Sequence, residues 1–422
     1  MKEILLQHKA EKERILSKNY VAREKLAFGK MQLDNDLIKV IVGPRRAGKS
    51  IFSFLLLQDK RFAYLNFDDE KLRNIADYDE IVKSVYEVYP DSDFIFFDEI
   101  QNLPEWELFV NKLHRRGYNL VLTGSNARLL SSELATALTG RHVPIEVLPF
   151  SFREFLDAKD FDASDECLAL PEEKGKMLHL LESYLRDGGM PEVVVKQIDA
   201  RTYLETLLDS VLFKDVVKRH KVKFAQQIYD LAVYLLSNFG SEQTSQRLKN
   251  VLSFRSISTV QNYVQYLSDA FLVFVLNRFS YKVGEQVKAP RKMYVSDTGF
   301  VTAGAFQFSA NTGRLMENAV FIELVRRGCK PNRDLFYYKT KNNREVDFAT
   351  RSGLTFDSLI QVCYDIDDPQ TWRREINALL QAKKELQSSQ PLIITWDEER
   401  EEVHNGELVH FSPLWKWLLS PN

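Results

Sequence analysis

Gly43-Pro44-Arg45-Arg46-Ala47-Gly48-Lys49-Ser50 fits the pattern Gly-x4-Gly-Lys-Ser, and it follows the apolar run Leu37 to Val42. A strand, a glycine-rich loop and a helix in that order form a cradle for phosphate. Gly43 and Gly48 let the backbone curl until several amides face one anion, and the helix that opens at Lys49 offers its positive end. Residues 43 to 50 together with Ile51 are therefore the expected nucleotide contacts. The Lys49 ammonium is placed to balance the outer phosphates of a nucleoside triphosphate, and the Ser50 hydroxyl to hold Mg2+.

A matching carboxylate follows at Asp93-Phe94-Ile95-Phe96-Phe97-Asp98-Glu99, an apolar strand that ends in two acids. Asp98 is positioned to orient the metal and its waters, and Glu99 to polarise an attacking water, which favours hydrolysis over passive binding. Paired acids after a strand also open helices, so this signal draws its weight from the loop at Gly43. A third strand ends in Thr123-Gly124-Ser125-Asn126, where Asn126 or Ser125 either faces the terminal phosphate or caps a helix. Further on, Leu138-Thr139-Gly140-Arg141 precedes another strand. Arg141 reads either as an arginine finger, in its own subunit or a neighbour's, or as a surface ion pair.

The 422 residues are 45% hydrophobic and 27% charged, ordinary for a globular chain of two or three domains. With 57 basic against 59 acidic residues the formal net charge is -2, so no global field draws the molecule to nucleic acid or anionic lipid. Cys167, Cys329 and Cys363 are too few and too scattered for a disulfide framework or a zinc site. No apolar run approaches the roughly 18 residues that span a bilayer, and the amino terminus reads as a charged helix with Ile4, Leu5, Ile15 and Leu16 free to pack. A cytoplasmic protein without a membrane partner is expected.

Strands near Leu37 to Val42, Phe62 to Phe67, Phe94 to Phe97, Asn119 to Leu122 and His142 to Val147 alternate with helical patterns, which predicts a parallel α/β sheet over residues 1–150. Its ligand crevice falls at the strands' carboxyl ends, where Gly43, Asp68, Asp98 and Thr123 lie. After Ser151 and Glu154, a capping box, the strands cease and residues 151–224 read as a helical lid and connector. Gly188-Gly189-Met190-Pro191 marks a candidate hinge, and Arg186 before it a candidate nucleotide sensor or an ordinary exposed charge. Residues 225–280 suit a winged helix-turn-helix, with Ser258, Thr259, Gln261 and Asn262 early in the third helix and DNA or a protein as its partner. Residues 281–422 return to α/β: helix, three strands, helix, strand is the core order of the restriction-endonuclease-like fold. Glu317 and Asp347 occupy its first acidic positions, but the third strand reads Gln361-Val362-Cys363, and a cysteine cannot replace an ammonium that stabilises developing charge. This domain is expected to be catalytically inactive.

The chain resembles the prokaryotic AAA+ ATPases that carry an amino-terminal AAA domain and a carboxy-terminal domain of uncharacterised role. The resemblance rests on the loop at Gly43, Phe97-Asp98-Glu99-Ile100-Gln101, Leu122-Thr123-Gly124-Ser125-Asn126, Leu138-Thr139-Gly140-Arg141, Pro149-Phe150-Ser151-Phe152-Arg153-Glu154-Phe155, Gly188-Gly189-Met190-Pro191 and Tyr294-Val295-Ser296-Asp297-Thr298-Gly299, in that order. It implies a P-loop NTPase fold of the additional-strand (ASCE) type, with the catalytic strand beside the phosphate-loop strand, ATP as the nucleotide, and homo-oligomers. Family members often have glutamate-valine-lysine where this chain has Gln361-Val362-Cys363. The resulting expectation is a Mg2+-dependent ATPase that couples hydrolysis to movement of DNA- or protein-binding carboxy-terminal domains. The alternative is a nucleotide-gated DNA-binding or scaffold protein with negligible turnover.

Overall fold

The computed structural model describes residues 1–75, 77–125, 138, 140–305, 312–364, 369–387 and 390–420. The chain divides into two compact units, Met1–Pro149 with Asp269–Phe271, and Phe150–Ser268 with Leu272–Asn422. Five parallel strands make the sheet of the first unit: β1 (Ile38–Val42), β2 (Phe62–Asn66), β3 (Phe94–Asp98), β4 (Asn119–Gly124) and β5 (His142–Glu146), in the order β2-β3-β4-β1-β5. Strands β1 and β3 are buried along their whole length, as central strands covered on both faces must be. Lys39, inside β1, is fully buried too, and its ammonium donates to the Asn35 carbonyl.

The sheet has the additional-strand order expected, with β4 inserted between β1 and β3, and that insertion corrects the expected neighbour of the phosphate-loop strand. β1 pairs with β4 and β5, so the strand that carries Asp98 is not beside the phosphate-loop strand; β4 lies between them. The apolar run of β4 buries it in the middle of the sheet, and its polar end, Thr123, falls between the two site-bearing strands. One face of this sheet is an aromatic core in which Phe54 meets Tyr64 and Phe96 edge-on at 4.9 and 5.4 Å. The first helix, Lys2–Leu16, packs on the edge strand β2 with Leu5 fully buried, and Lys12 sits 3.8 Å over the Phe62 ring. Covering that edge removes an open template for pairing with another chain.

The second unit opens with the helix Phe152–Ala158, whose capping box is formed: Ser151 Oγ accepts from the Glu154 N–H at 3.1 Å, and the Ser151 N–H donates to Glu154 Oε2 at 3.0 Å. Helices follow to Ser210, and the last of them runs into eight residues of π-helix, Val211–Lys218. Then come Ala225–Ser237, the short strand β6 (Glu242–Gln243), the helices Ser245–Val251 and Ile257–Asp269, and the strands β7 (Val273–Asn277) and β8 (Arg291–Val295). These strands form an antiparallel sheet in the order β6-β8-β7. Two readings change here: strands do occur between 151 and 280, and the boundary placed at 280 cuts this small sheet, since β8 pairs with both β6 and β7.

The remainder has the element order expected. The helix Thr312–Arg326 is followed by β9 (Leu335–Lys339), β10 (Glu345–Ser352) and β11 (Thr355–Val362), then by the helix Pro369–Leu386 and by β12 (Gln390–Thr395). Two further strands, β13 (Arg400–His404) and β14 (Glu407–Pro413), extend the mixed sheet to the order β13-β14-β12-β11-β10-β9. No helix among the described residues is long and apolar enough to cross a membrane.

Gly188-Gly189, taken above as a hinge, is a packed joint. The Gly189 N–H donates to Asp297 Oδ2 at 2.8 Å, the Gly299 N–H donates to Asp297 Oδ1 at 2.9 Å, and the Phe150 N–H donates to the Gly189 carbonyl at 2.8 Å. Gly188 has a φ of +79°, and a methyl added there would lie 1.8 Å from Asp297 Oδ1. Arg186, the candidate sensor, pairs with its neighbour Asp187 at 2.9 and 2.8 Å. Gly188→Ala is expected to cost well over about 1 kcal/mol, because strain at positive φ and steric overlap add. Chemical denaturation of the full chain measures it, and a midpoint equal to that of the wild type would mean that the joint yields freely.

Candidate functional site

At the carboxyl edge of the parallel sheet, β1 runs into the glycine loop and the loop into the helix Lys49–Leu57. Gly43 has a φ of +149°, and a Cβ there would fall 2.0 Å from the Val147 carbonyl oxygen, so the loop turns where only glycine fits. Gly48, at a φ of +91°, is the N-cap of the helix. Arg46 is exposed within the loop and also has a positive φ, 67°. The Lys49 side chain is buried, and its ammonium donates to the Pro44 carbonyl at 2.8 Å, folded back across the loop it serves.

Three segments meet on the carboxylate of Asp98. Ser50 Oγ donates to Asp98 Oδ1 at 2.9 Å, and the Thr123 hydroxyl donates to the same oxygen. Thr123 Oγ1 in turn accepts the Glu99 N–H at 2.9 Å, so one hydroxyl fixes both acids. Glu99 sits at φ 52°, ψ 42°, the left-handed region that is uncommon for a residue with a side chain. Its carboxylate accepts from Gln101 Nε2. Burial, and then the neighbouring charge of Glu99, push the Asp98 pKa up to about 7 against the opposing hydroxyls and Lys49. A buried carboxylate with two neutral donors is short of positive charge, and a cation placed beside it corrects that.

Sequence reasoning missed Arg23. Its guanidinium donates to the Ala47 carbonyl at 3.0 Å and to the Leu148 carbonyl at 2.6 Å, which pins the phosphate loop to the segment after β5. A lone arginine in a charged amino-terminal stretch carries no pattern to mark it. Thr123 was seen as a polar stop without its bridging role, and Gln101 lay in plain view two residues after Glu99. Ser125 Oγ is buried with no hydrogen-bond partner among the described residues; Asn126 lies outside them.

Arg141 is exposed at the amino end of β5, where its carbonyl accepts the Ile38 N–H at 2.9 Å. Five residues of strand, about 16 Å at roughly 3.3 Å each, separate that end from the phosphate loop. Contact with its own subunit's phosphates is therefore excluded, because an arginine side chain does not extend so far.

Asp98 gives a sign for pH. Its folded pKa lies above that of an unfolded aspartate, so the ligand-free protein loses stability as pH rises from about 4 through 7, at about 1.4 kcal/mol per unit of pKa difference. Asp98→Asn should flatten that decline and melt higher than the wild type at pH 8. Parallel thermal melts from pH 5 to 8 test this, and identical pH profiles would exclude Asp98 as the titrating group.

Residues 35–156 match the AAA domain family, residues 178–310 the domain of unknown function DUF8612, and residues 312–417 the domain of unknown function DUF4143. An uncharacterised protein of Methanocaldococcus jannaschii is 38% identical over 403 residues, covering 91% of this chain and 88% of its own length. One from Haemophilus influenzae is 30% identical over 377 residues, covering 84% of this chain and 89% of its own length. Among solved structures, a Walker-type ATPase of Pyrococcus abyssi aligns over 67% of this chain and 95% of its own at 13% identity, with a TM-score of 0.44, a likeness too weak to carry function across. The AAA match spans the phosphate loop, Asp98, Glu99 and Thr123, and the identity to both relatives runs through all three domains. The chain belongs to the family of proteins that join an amino-terminal AAA domain to DUF8612 and DUF4143.

Proposed function

We propose that the protein is a Mg2+-dependent ATPase whose nucleotide cycle rearranges the domains that follow the AAA domain. The observation that carries this reading is the chain of contacts Ser50–Asp98–Thr123–Glu99, which holds a metal-type oxygen pair and a base-type carboxylate beside the phosphate loop. Ser50 and Asp98 offer the hard oxygens that magnesium prefers, and they are the residues that would hold it. When bound, the ion supplies neutralisation of charge on the outer phosphates. The loop amides from Gly43 to Ser50 bind the phosphate chain, and Lys49 leaves the Pro44 carbonyl to meet it. Glu99, held by Gln101, orients water and accepts its proton. Asn126, which follows β4, reads the terminal phosphate from the strand end, and Arg141, barred from its own site, completes a neighbouring subunit's site in a homo-oligomer.

Lys49→Ala should abolish nucleotide binding, whereas Glu99→Gln should keep binding and lower turnover by roughly 100-fold or more, in the range for loss of a general base. Calorimetric titration and phosphate release measure the two. Normal turnover in both variants would remove hydrolysis from the account.

A specific observation favours duplex DNA as the client. The arrangement around the sheet β6-β8-β7, with three helices before its last two strands, supports a winged helix. Its third helix, Ile257–Asp269, exposes Ser258, Gln261, Asn262 and Gln265 at helical spacing, and Arg247 and Arg255 are exposed nearby. Polar side chains at that spacing read base edges, and arginines beside them grip phosphate. Replacing Gln261 or Asn262 singly with alanine should weaken duplex binding about 5- to 140-fold, for the ~1–3 kcal/mol of one lost base contact. Fluorescence anisotropy at several salt concentrations checks this. Affinity unchanged by the substitutions and by salt would point to a protein client.

A further inference from the structure

The restriction-endonuclease-like order implies a divalent metal between an acid on the opening helix and one on the second strand. Glu317 and Asp347 stand there, and a metal does not fit, because a cation of the protein itself is already in place. Lys292 Nζ, from β8, lies 2.8 Å from Glu317 Oε1, 2.7 Å from Glu345 Oε1 and 3.1 Å from Asp347 Oδ1, and the side chain is only 2% exposed. The Tyr294 hydroxyl donates to Glu317 Oε1 at 2.6 Å, and the Val362 N–H donates to the other oxygen of Asp347 at 3.0 Å.

Gln361, the one remaining candidate ligand, is used as well. Its Oε1 accepts the Asp347 N–H at 3.3 Å, and its Nε2 donates to Glu375 Oε2 at 2.7 Å. Cys363, where a lysine would assist catalysis, is buried in the apolar core of the α/β domain. A divalent ion needs oxygens at about 2.0–2.6 Å and would have to expel the ammonium to reach them.

We infer that Lys292 is a tethered cation that takes the metal's place, converting a nuclease-like centre into a clamp between the small sheet and the α/β domain. The clamp joins the two domains of unknown function, since Lys292 lies in the span of one and all three acids in the span of the other. Neighbouring contacts run the same way: Tyr337 OH donates to Glu242 Oε1 at 2.9 Å, and Lys339 Nζ lies 2.7 Å from Glu242 Oε2, tying β9 to β6. Burial opposes the charge on Lys292, but Glu317 and its fellow acids outweigh it and hold the ammonium well above its ordinary pKa. Removing one partner of such a buried group leaves the others uncompensated, which costs far more than the intact set contributes.

The test uses the full chain without nucleotide. In Lys292→Met the acids lose their cation, so the melting temperature should fall, and millimolar MnCl2 should raise it by clearly more than it raises that of the wild type, whose Asp98 site both proteins share. Lys292→Met combined with Glu317→Gln and Asp347→Asn should recover without manganese. A folded Lys292→Met protein that melts like the wild type and gains no more from manganese than the wild type does overturns the inference. Should Lys292→Met fail to fold, electron paramagnetic resonance of bound Mn2+ decides on the wild type and Asp347→Asn. Equal stoichiometry in the two supports the clamp, and one ion fewer in Asp347→Asn refutes it.

Discussion

The phosphate-loop half of this protein depends on one buried carboxylate. Asp98 joins the end of β3 to the end of β4 through Thr123 and to the first turn of the phosphate-loop helix through Ser50. With β4 between β1 and β3, the two functional strands are kept one strand apart, which leaves space between the phosphate loop and the acids. Thr123 spans that space. Without it Asp98 would keep one donor and the Glu99 N–H would lose its acceptor, an expensive outcome for groups this deep. The raised pKa of Asp98 follows from the same arrangement: the pocket is preorganised for a cation and is less stable without one.

How much of this the sequence displays depends on how local the physics is. The loop at Gly43, the acids at Asp98 and Glu99, and the capping box at Ser151 are spelled out over a few residues, because backbone curvature, strand ends and caps are local requirements. Arg23 acts on carbonyls 24 and 125 residues away, and Lys292 meets acids up to 55 residues away. No spacing rule reaches across such separations. The two-residue strand β6 is likewise invisible to periodicity, since its identity lies in its pairing with β8. Which strand neighbours the phosphate-loop strand is a packing outcome, so the Asp98 strand was misplaced beside β1 while the strands themselves and the additional-strand type were not misread.

Motifs that look like chemistry can instead be joinery. Gly188-Gly189 and Asp297-Thr298-Gly299 lie more than a hundred residues apart, and each contains glycines beside a polar stop, the usual look of a ligand loop. In the fold they bind each other: the Asp297 carboxylate takes amides from both, and Gly188 is glycine because Asp297 occupies the space of a side chain. Arg186, read beside them as a sensor, is engaged by Asp187. The requirement for these residues is steric and electrostatic, and it needs no ligand.

Two buried acidic centres therefore stand in this chain with opposite electrostatics. Around Asp98 only neutral hydroxyls donate, the carboxyl holds its proton up to about pH 7, and the deficit of positive charge is one that a metal-bound nucleotide can fill. Around Glu317, Glu345 and Asp347 the deficit is met from within by Lys292, at distances that leave no room for an ion. A centre left short of charge can respond to a ligand; a centre neutralised by its own chain holds two domains together whatever is bound elsewhere. On that distinction the AAA domain carries the centre that is open to a ligand, and the nuclease-like domain and the small sheet stand as one clamped pair.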